Sequence, residues 1–162
     1  MKRFHIHVMV NDLEKNIEFY SQLFGQKPAK QKSDYAKWMI DDPAINFAIS
    51  LSATELGINH LGIQVDDEEA LGVLKQQAHM ASGKDLFVEG KVNCCHARSD
   101  KHWTRDPQGI SWEHYMTLGD IEDGVVVKDD TNQSCCIPLS RSSDNQACCV
   151  SDEKSSASAC CG

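Results

Sequence analysis

The chain has 162 residues, 41% of them hydrophobic, and a formal net charge of −8 at pH 7, which gives room for one ordinary domain or two small modules sharing a core. No basic patch interrupts the acidic balance, which argues against a nucleic-acid partner. No stretch approaches the ~20 apolar residues that span a bilayer, and the opening MKRFHIHVMVND lacks an apolar run of signal-peptide length, so a cytoplasmic protein with no membrane partner is expected.

Phe4 to Val10 alternates strictly, with Phe4, Ile6, Val8 and Val10 on one face and His5, His7 and Met9 on the other. That pattern predicts a strand with one apolar side and one side bearing imidazoles. Asn11 or Asp12 can cap the helix that follows, LEKNIEFYSQLFG, in which Leu13, Ile17, Tyr20 and Phe24 recur at helical spacing before Gly25 stops it. Three short strands follow, near 27–32, 35–40 and 45–51. The last leaves Asn46, Ala48 and Ser50 on its less apolar face.

The pattern then restarts with an offset of 55 residues: His60 falls on His5, Val65 on Val10 and Asp67 on Asp12. A helix over about 67–82 and strands near 85–90, 93–104 and 110–116 complete a second copy. The reading is α+β, two βαβββ modules over about 3–52 and 58–116, within a folded domain of residues 1–118. Their two histidines occupy equivalent places in the repeat.

The stretch from Val92 to Tyr115 holds the vicinal thiols Cys94 and Cys95, the turn signal Asp106-Pro107-Gln108-Gly109, and a strand with Glu113 between Trp112 and Tyr115. Residues 119–162 form a different text: no aromatic follows Tyr115, Ser and Asp dominate, and a flexible cysteine-rich tail is expected. All eight cysteines occur as adjacent pairs, 94/95, 135/136, 148/149 and 160/161. Neighbours in sequence are poorly placed to bridge each other or staple distant segments, so reduced thiols acting in pairs are expected.

His5, His60 and Glu113 each sit on the polar face of a predicted strand. Two imidazoles and one carboxylate leave about three positions open on an octahedral ion, the facial arrangement of non-haem Fe(II) oxygen chemistry. The plainer reading, three polar residues satisfied beside a cleft, gives no reason for the repeat symmetry. His7 shares the face of His5 and is an alternative ligand or an outer partner, but only His5 aligns with His60. His96, His102 and His114 are read as structural or surface residues, and Lys101 and His102 as a solvated basic pair.

His-x₆-Asp opening each module, the FYSQLFG helix end and the DPQGISWEHY hairpin resemble the vicinal oxygen chelate superfamily of glyoxalases, extradiol dioxygenases and fosfomycin-resistance enzymes, over residues 3–116. The resemblance implies a half-open barrel around a metal, with ligands from the first strand of each module and the last strand of the second: His5, His60 and Glu113. Where glyoxalase I commonly has a fourth, acidic ligand, this chain offers only Asn46, Ala48 and Ser50, which implies a more open coordination sphere.

Within the superfamily, NHLGIQVDD, the Cys94-Cys95 pair and the cysteine-paired tail are similar to organoarsenical carbon–arsenic lyases and cadmium-induced proteins. That similarity implies an Fe(II)- and O₂-dependent cleavage of methyl- or aryl-As(III) that releases arsenite, by a monomer or homodimer. Cys94 and Cys95 would then hold the trivalent arsenical. At least some of those proteins have glutamine at the first ligand position, where this chain has His5. Two other functions compete: sequestration of Cd(II) or As(III) by thiols without turnover, and glyoxalase or thiol-transferase chemistry on a thiol cosubstrate.

Overall fold

The computed structural model describes residues 1–82, 86–94 and 97–120. Along the chain run β1 (Lys2–Val10), α1 (Leu13–Phe24), β2 (Lys30–Gln31), β3 (Tyr35–Ile40), β4 (Ile45–Leu51), β5 (Gly57–Val65), α2 (Glu68–Ser82), β6 (Phe87–Cys94), β7 (Ala97–Arg105) and β8 (Ser111–Asp120). The βαβββ order occurs twice, and the eight strands form one open sheet in the order β2-β3-β4-β1-β5-β8-β7-β6. No described helix is long and apolar enough to cross a membrane.

The aspartates of the two His-x₆-Asp motifs have a local purpose. Asp12 caps α1 by accepting from the Lys15 amide at 3.1 Å, and Asp67 accepts from the Ala70 amide at 2.7 Å at the start of α2. Each satisfies one of the amides that a helix start leaves without a partner. The motif therefore spans one strand–turn–cap unit, its histidine on the strand and its acid on the helix. Gly25, in the left-handed conformation (φ 66°), ends α1.

The apolar face predicted for β1 packs toward the helices. Under α1, Val10 and Leu13 join Ala36, Trp38, Phe47 and Ile49, with Tyr20 and Phe24 against them; under α2, Val65, Leu71, Leu74 and Met116 form a second cluster. Two cores on one side of the sheet leave its other face for the polar residues. The modules join where β1 pairs antiparallel with β5, placing His5 opposite Gly62 and His7 opposite His60.

That sheet curls strongly. β2 and β8 lie five strand intervals apart, about 24 Å if flat, yet Lys30 Nζ lies 2.7 Å from Asp120 Oδ1. Asn46 on β4 likewise reaches the Tyr115 hydroxyl on β8, at 2.7 Å. The expected half-open barrel is this curled, unclosed sheet.

Some boundaries differ from expectation. β2 is two residues long, because Pro28 offers no amide to a ladder. The second and third strands of the second module meet with Cys94 opposite Ala97 rather than near 92, since the run from Val92 to Ser99 has no apolar alternation to fix the register. Cys94 therefore ends β6 instead of lying inside the next strand. Cys95, His96 and the tail expected over 121–162 lie outside the described residues, and of Cys94 only the backbone is described. β8 extends to Asp120, four residues past the strand end expected near 116.

Candidate metal centre

His5, His60 and Glu113 converge from β1, β5 and β8, one ligand-type atom of each lying within 4.8 Å of the other two. The sequence logic is parity. His5, Gly62, Glu113 and Trp103 form one cross-strand row, and His60 enters from the adjoining row opposite His7. Gly62 keeps the centre of the first row empty. A Cβ on it would lie 2.2 Å from the Glu113 carbonyl oxygen, so only glycine lets β5 and β8 approach here.

The outer nitrogens of both imidazoles are engaged. His5 Nδ1 lies 3.1 Å from the Asn46 carbonyl, and His60 Nδ1 lies 2.9 Å from the Asn59 side-chain oxygen. Both oxygens can only accept, so each ring places its proton on Nδ1 and leaves Nε2 with a lone pair. Those two Nε2 atoms face each other at 3.1 Å, and Glu113 Oε2 lies 3.7 Å from the first and 3.4 Å from the second. Three acceptors aimed at one another repel unless a proton or cation sits among them. The donor set fits a divalent transition metal held by imidazole nitrogen and carboxylate oxygen.

Asn59 reaches His60 through a backbone irregularity. The β1–β5 register slips between His7 and Val8, leaving Asn59 as the extra residue between the pairs His7–His60 and Val8–Ile58, and such a bulge re-aims a side chain. Trp103 packs edge-on against the His60 ring at 5.1 Å, and Tyr115 does the same to His5 at 5.3 Å.

Lys101 closes the other side of Glu113. Its Nζ is 3.1 Å from Glu113 Oε1 and 3.8 Å from Glu89 Oε2, and 5.5 Å from the centre of the Trp103 ring. Trp103 Nε1 donates to Glu89 Oε2 at 2.7 Å. Oε1 is thus occupied by an ammonium while Oε2 faces the imidazoles. Burial alone would raise the Glu113 pKa, but the facing His60 ring and the Lys101 ammonium outweigh it, holding the carboxyl well below the usual carboxylate range. Burial pushes His5 down to about 4, with Glu113 opposing the shift; burial also raises the Tyr115 hydroxyl well above its ordinary value. Near neutral pH the centre presents a neutral His5 ring and an ionised carboxylate, the states that bind metal.

Lys101 and His102 are only 5% and 2% exposed, so the reading of a solvated basic pair is corrected. His102 pairs with His114 across β7 and β8, stacked at 4.9 Å and 20°, on the face away from the metal centre. Sequence reasoning misjudged Lys101 and missed the roles of Asn59 and Gly62. Only the parity shared by Lys101 and Trp103 hinted at the lysine, and parity alone does not say which face is buried. His7 turns its Nε2 to Ser50 Oγ at 2.8 Å and packs on the His60 ring at 4.8 Å.

Comparison with known proteins agrees with this architecture. Residues 2–114 match the model of the Glyoxalase/Bleomycin resistance protein/Dioxygenase superfamily, and the chain belongs to that superfamily. It is 35% identical over 153 residues, 88% of this chain and 95% of the relative, to the trivalent organoarsenical cleaving enzyme of Bacillus sp. strain MD1. It is 36% identical over 125 residues, 75% of this chain and 80% of the relative, to the cadmium-induced protein CadI of Mycobacterium tuberculosis strain H37Rv. Among solved structures, the Mn(II)-bound glyoxalase of Novosphingobium aromaticivorans matches with a TM-score of 0.53 at 16% identity, over 74% of this chain and 41% of that one, a likeness of fold.

Proposed function

We propose that this chain is an enzyme that cleaves the carbon–arsenic bond of trivalent organoarsenicals, methyl- or aryl-As(III), and releases arsenite. In this reading His5, His60 and Glu113 hold Fe(II), and Cys94 and Cys95 hold the substrate. The observation that carries it is the convergence of two imidazoles and one ionised carboxylate in a chain similar along nearly its whole length to a trivalent organoarsenical cleaving enzyme. Fe(II) bound there would supply the activation of dioxygen that the cleavage consumes.

The chain's own residues divide the remaining work. The Cys94 and Cys95 thiols each exchange an As–O bond of RAs(OH)₂ for an As–S bond, the two thiol protons leaving with the hydroxyls as water. The organic group is then the one arsenic substituent not replaced, and holding it in one geometry accounts for much of the rate. Arsenic binds the thiolate, so basic neighbours such as Arg98 assist capture. The Asn46 carbonyl and the Asn59 side chain fix the tautomers of His5 and His60, and Lys101 keeps Glu113 Oε1 occupied so that Oε2 is the oxygen offered inward. Trp103 and Tyr115 exclude water from the ring edges.

The similarity to a cadmium-induced protein and the four cysteine pairs favour a second reading, thiol sequestration of soft metals without turnover. The test is Fe(II)-loaded full-length chain with methylarsonous acid, in air and under nitrogen, reading arsenite and O₂ consumption together. Arsenite formed only in air supports the enzyme; arsenite formed equally under nitrogen refutes the oxygen-dependent mechanism. Stoichiometric capture with no arsenite supports sequestration.

A further inference from the structure

The sheet opens beside the trio. The β5–β8 ladder begins at Leu61–Trp112, so Gly57 to His60 stand clear of β8 and face the 106–110 turn that joins it to β7. A cavity of about 450 Å³ fills this opening, a size common among small-molecule sites. Its walls are mostly apolar, from Leu56, Ile58, Leu61 and Ile110. Three of these are open to water, Leu56 at 60%, Ile58 at 66% and Ile110 at 40% exposure. Exposed aliphatic side chains scattered singly mean little, but three gathered around one hollow mark a place where apolar matter binds.

That hollow adjoins the metal centre along the concave face. Met9, Ser111 and Arg105 line it, each two residues along its strand from His7, Glu113 and Trp103. A two-residue step keeps a side chain on the same face of the sheet and moves it about 7 Å. Asn59 is also in the wall, and its side-chain oxygen lies 2.9 Å from His60 Nδ1. Cys94 stands on the other side of the trio, where β6 ends opposite Ala97, while Arg105 and Ser111 pair at the far end of β7. Thiolates that reach the trio from the Cys94 end leave the third substituent of arsenic directed at the cavity.

We infer that this cavity receives the organic group of the arsenical and makes the site selective for aryl over methyl substituents. The inference rests on the arsenical reading above and adds to it the place of the organic group. An aryl ring carried on arsenic crosses the step from the trio to the cavity wall, whereas a methyl group stops short of it. The gain follows the apolar area withdrawn from water, which the aliphatic wall supplies for a ring and not for a methyl.

The experiment titrates phenylarsonous acid and methylarsonous acid, by calorimetry under nitrogen, into the Fe(II)-loaded, full-length chain with its six tail cysteines changed to serine. The ratio of the two dissociation constants is compared with the same ratio for dithiothreitol, which removes the intrinsic difference between the two arsenicals. It is measured for this parent, Leu56→Asp, Ile110→Asp and Leu23→Asp, the last on α1 and as exposed as Leu56, at 63%. The parent should favour the phenyl compound about tenfold beyond dithiothreitol, and each cavity aspartate should remove most of that preference. Leu23→Asp should keep it. Circular dichroism verifies that the variants fold, and if one cavity variant unfolds the other decides. No preference in the parent, a preference that a folded cavity variant leaves unmoved, or one lost equally in Leu23→Asp overturns the role of the cavity and leaves the arsenical reading standing. Failure of the parent to bind either compound removes both.

Discussion

Glu113 is held between two imidazoles and a lysine, and that position fixes what its removal does. Glu113→Ala removes the carboxylate paired with the buried Lys101 ammonium at 3.1 Å, and breaking a buried pair costs about 3 kcal/mol. His60→Ala removes a ring packed against Trp103, His5 and His7. Both variants should lose stoichiometric iron by elemental analysis, and Glu113→Ala should also unfold at lower urea. Full metal occupancy in both would show that the trio is not the binding site.

Asn59 makes a finer case. Its amide orients His60 without touching the position a metal would take, and outer partners of this kind typically contribute about 10–100-fold in metal affinity. Asn59→Ala should weaken Co(II) binding by that order, read from the visible absorption of the cobalt complex, with an unchanged melting temperature for the metal-free chain. A cobalt affinity equal to wild type would mean the hydrogen bond is incidental. At this scale the sequence spoke unevenly. His5 and His60 were visible because a repeat put them in register, and Glu113 because an acid stood between two aromatics. Asn59 was invisible because a bulge, not a period, brings it to the histidine; Lys101 was misjudged because a charged residue in an alternating strand gives no sign of its burial.

Among the elements, β5 and β8 carry the tightest constraint. The Cβ of Gly62→Ala would meet backbone, not a flexible side-chain end, 2.2 Å away. The strands would have to part, at about 1–3 kcal/mol for an overpacked site, and Glu113 would move with its strand. The variant should therefore lose stability and metal together, whereas Gly72→Ala on α2, where an added Cβ meets nothing within 4 Å, should lose neither. Equal stability of Gly62→Ala and wild type in a urea titration would contradict the close approach.

The second pair of buried imidazoles adds to the acid sensitivity that His5 also brings. Burial, then the neighbouring His114 and Lys75, brings His102 down to about 4 from its ordinary value of 6.5, and burial lowers His114 too. Between those two pH values the unfolded chain binds a proton at His102 that the folded chain does not. Stability therefore rises with pH through this window and is lost on acidification from about 6.5 toward 4. His102→Gln cannot titrate, so its urea midpoint should fall less than that of wild type between pH 7 and pH 4.5. Parallel curves would assign the acid sensitivity elsewhere. The helices and most strands that frame these residues were legible because their periodicity is strong and Asp12, Asp67 and Gly25 mark their ends. The register of β6 against β7 was not, since the polar run at their junction fits several registers.

On the scale of the whole molecule, duplication predicted the doubled βαβββ order, but it could not say how far the sheet would curl. That curvature depends on long-range contacts such as Lys30 with Asp120 and Asn46 with Tyr115, which join residues 90 and 69 positions apart. Local pattern carries no trace of such pairs.

His5 belongs to the first half of the chain, while His60 and Glu113 belong to the second, and the two halves meet along the β1–β5 seam. An ion held by all three is a rivet across that seam. If the backbone is opened in the exposed loop at Thr54–Glu55, the two pieces should find each other more tightly when the ion is present, because anything that binds the joined form alone favours it by mass action. Co-expressed halves should co-purify with Fe(II) or Co(II) and come apart in chelator, whereas halves carrying His5→Ala should show no such dependence. Dissociation indifferent to chelator would mean that the ion belongs to one half alone.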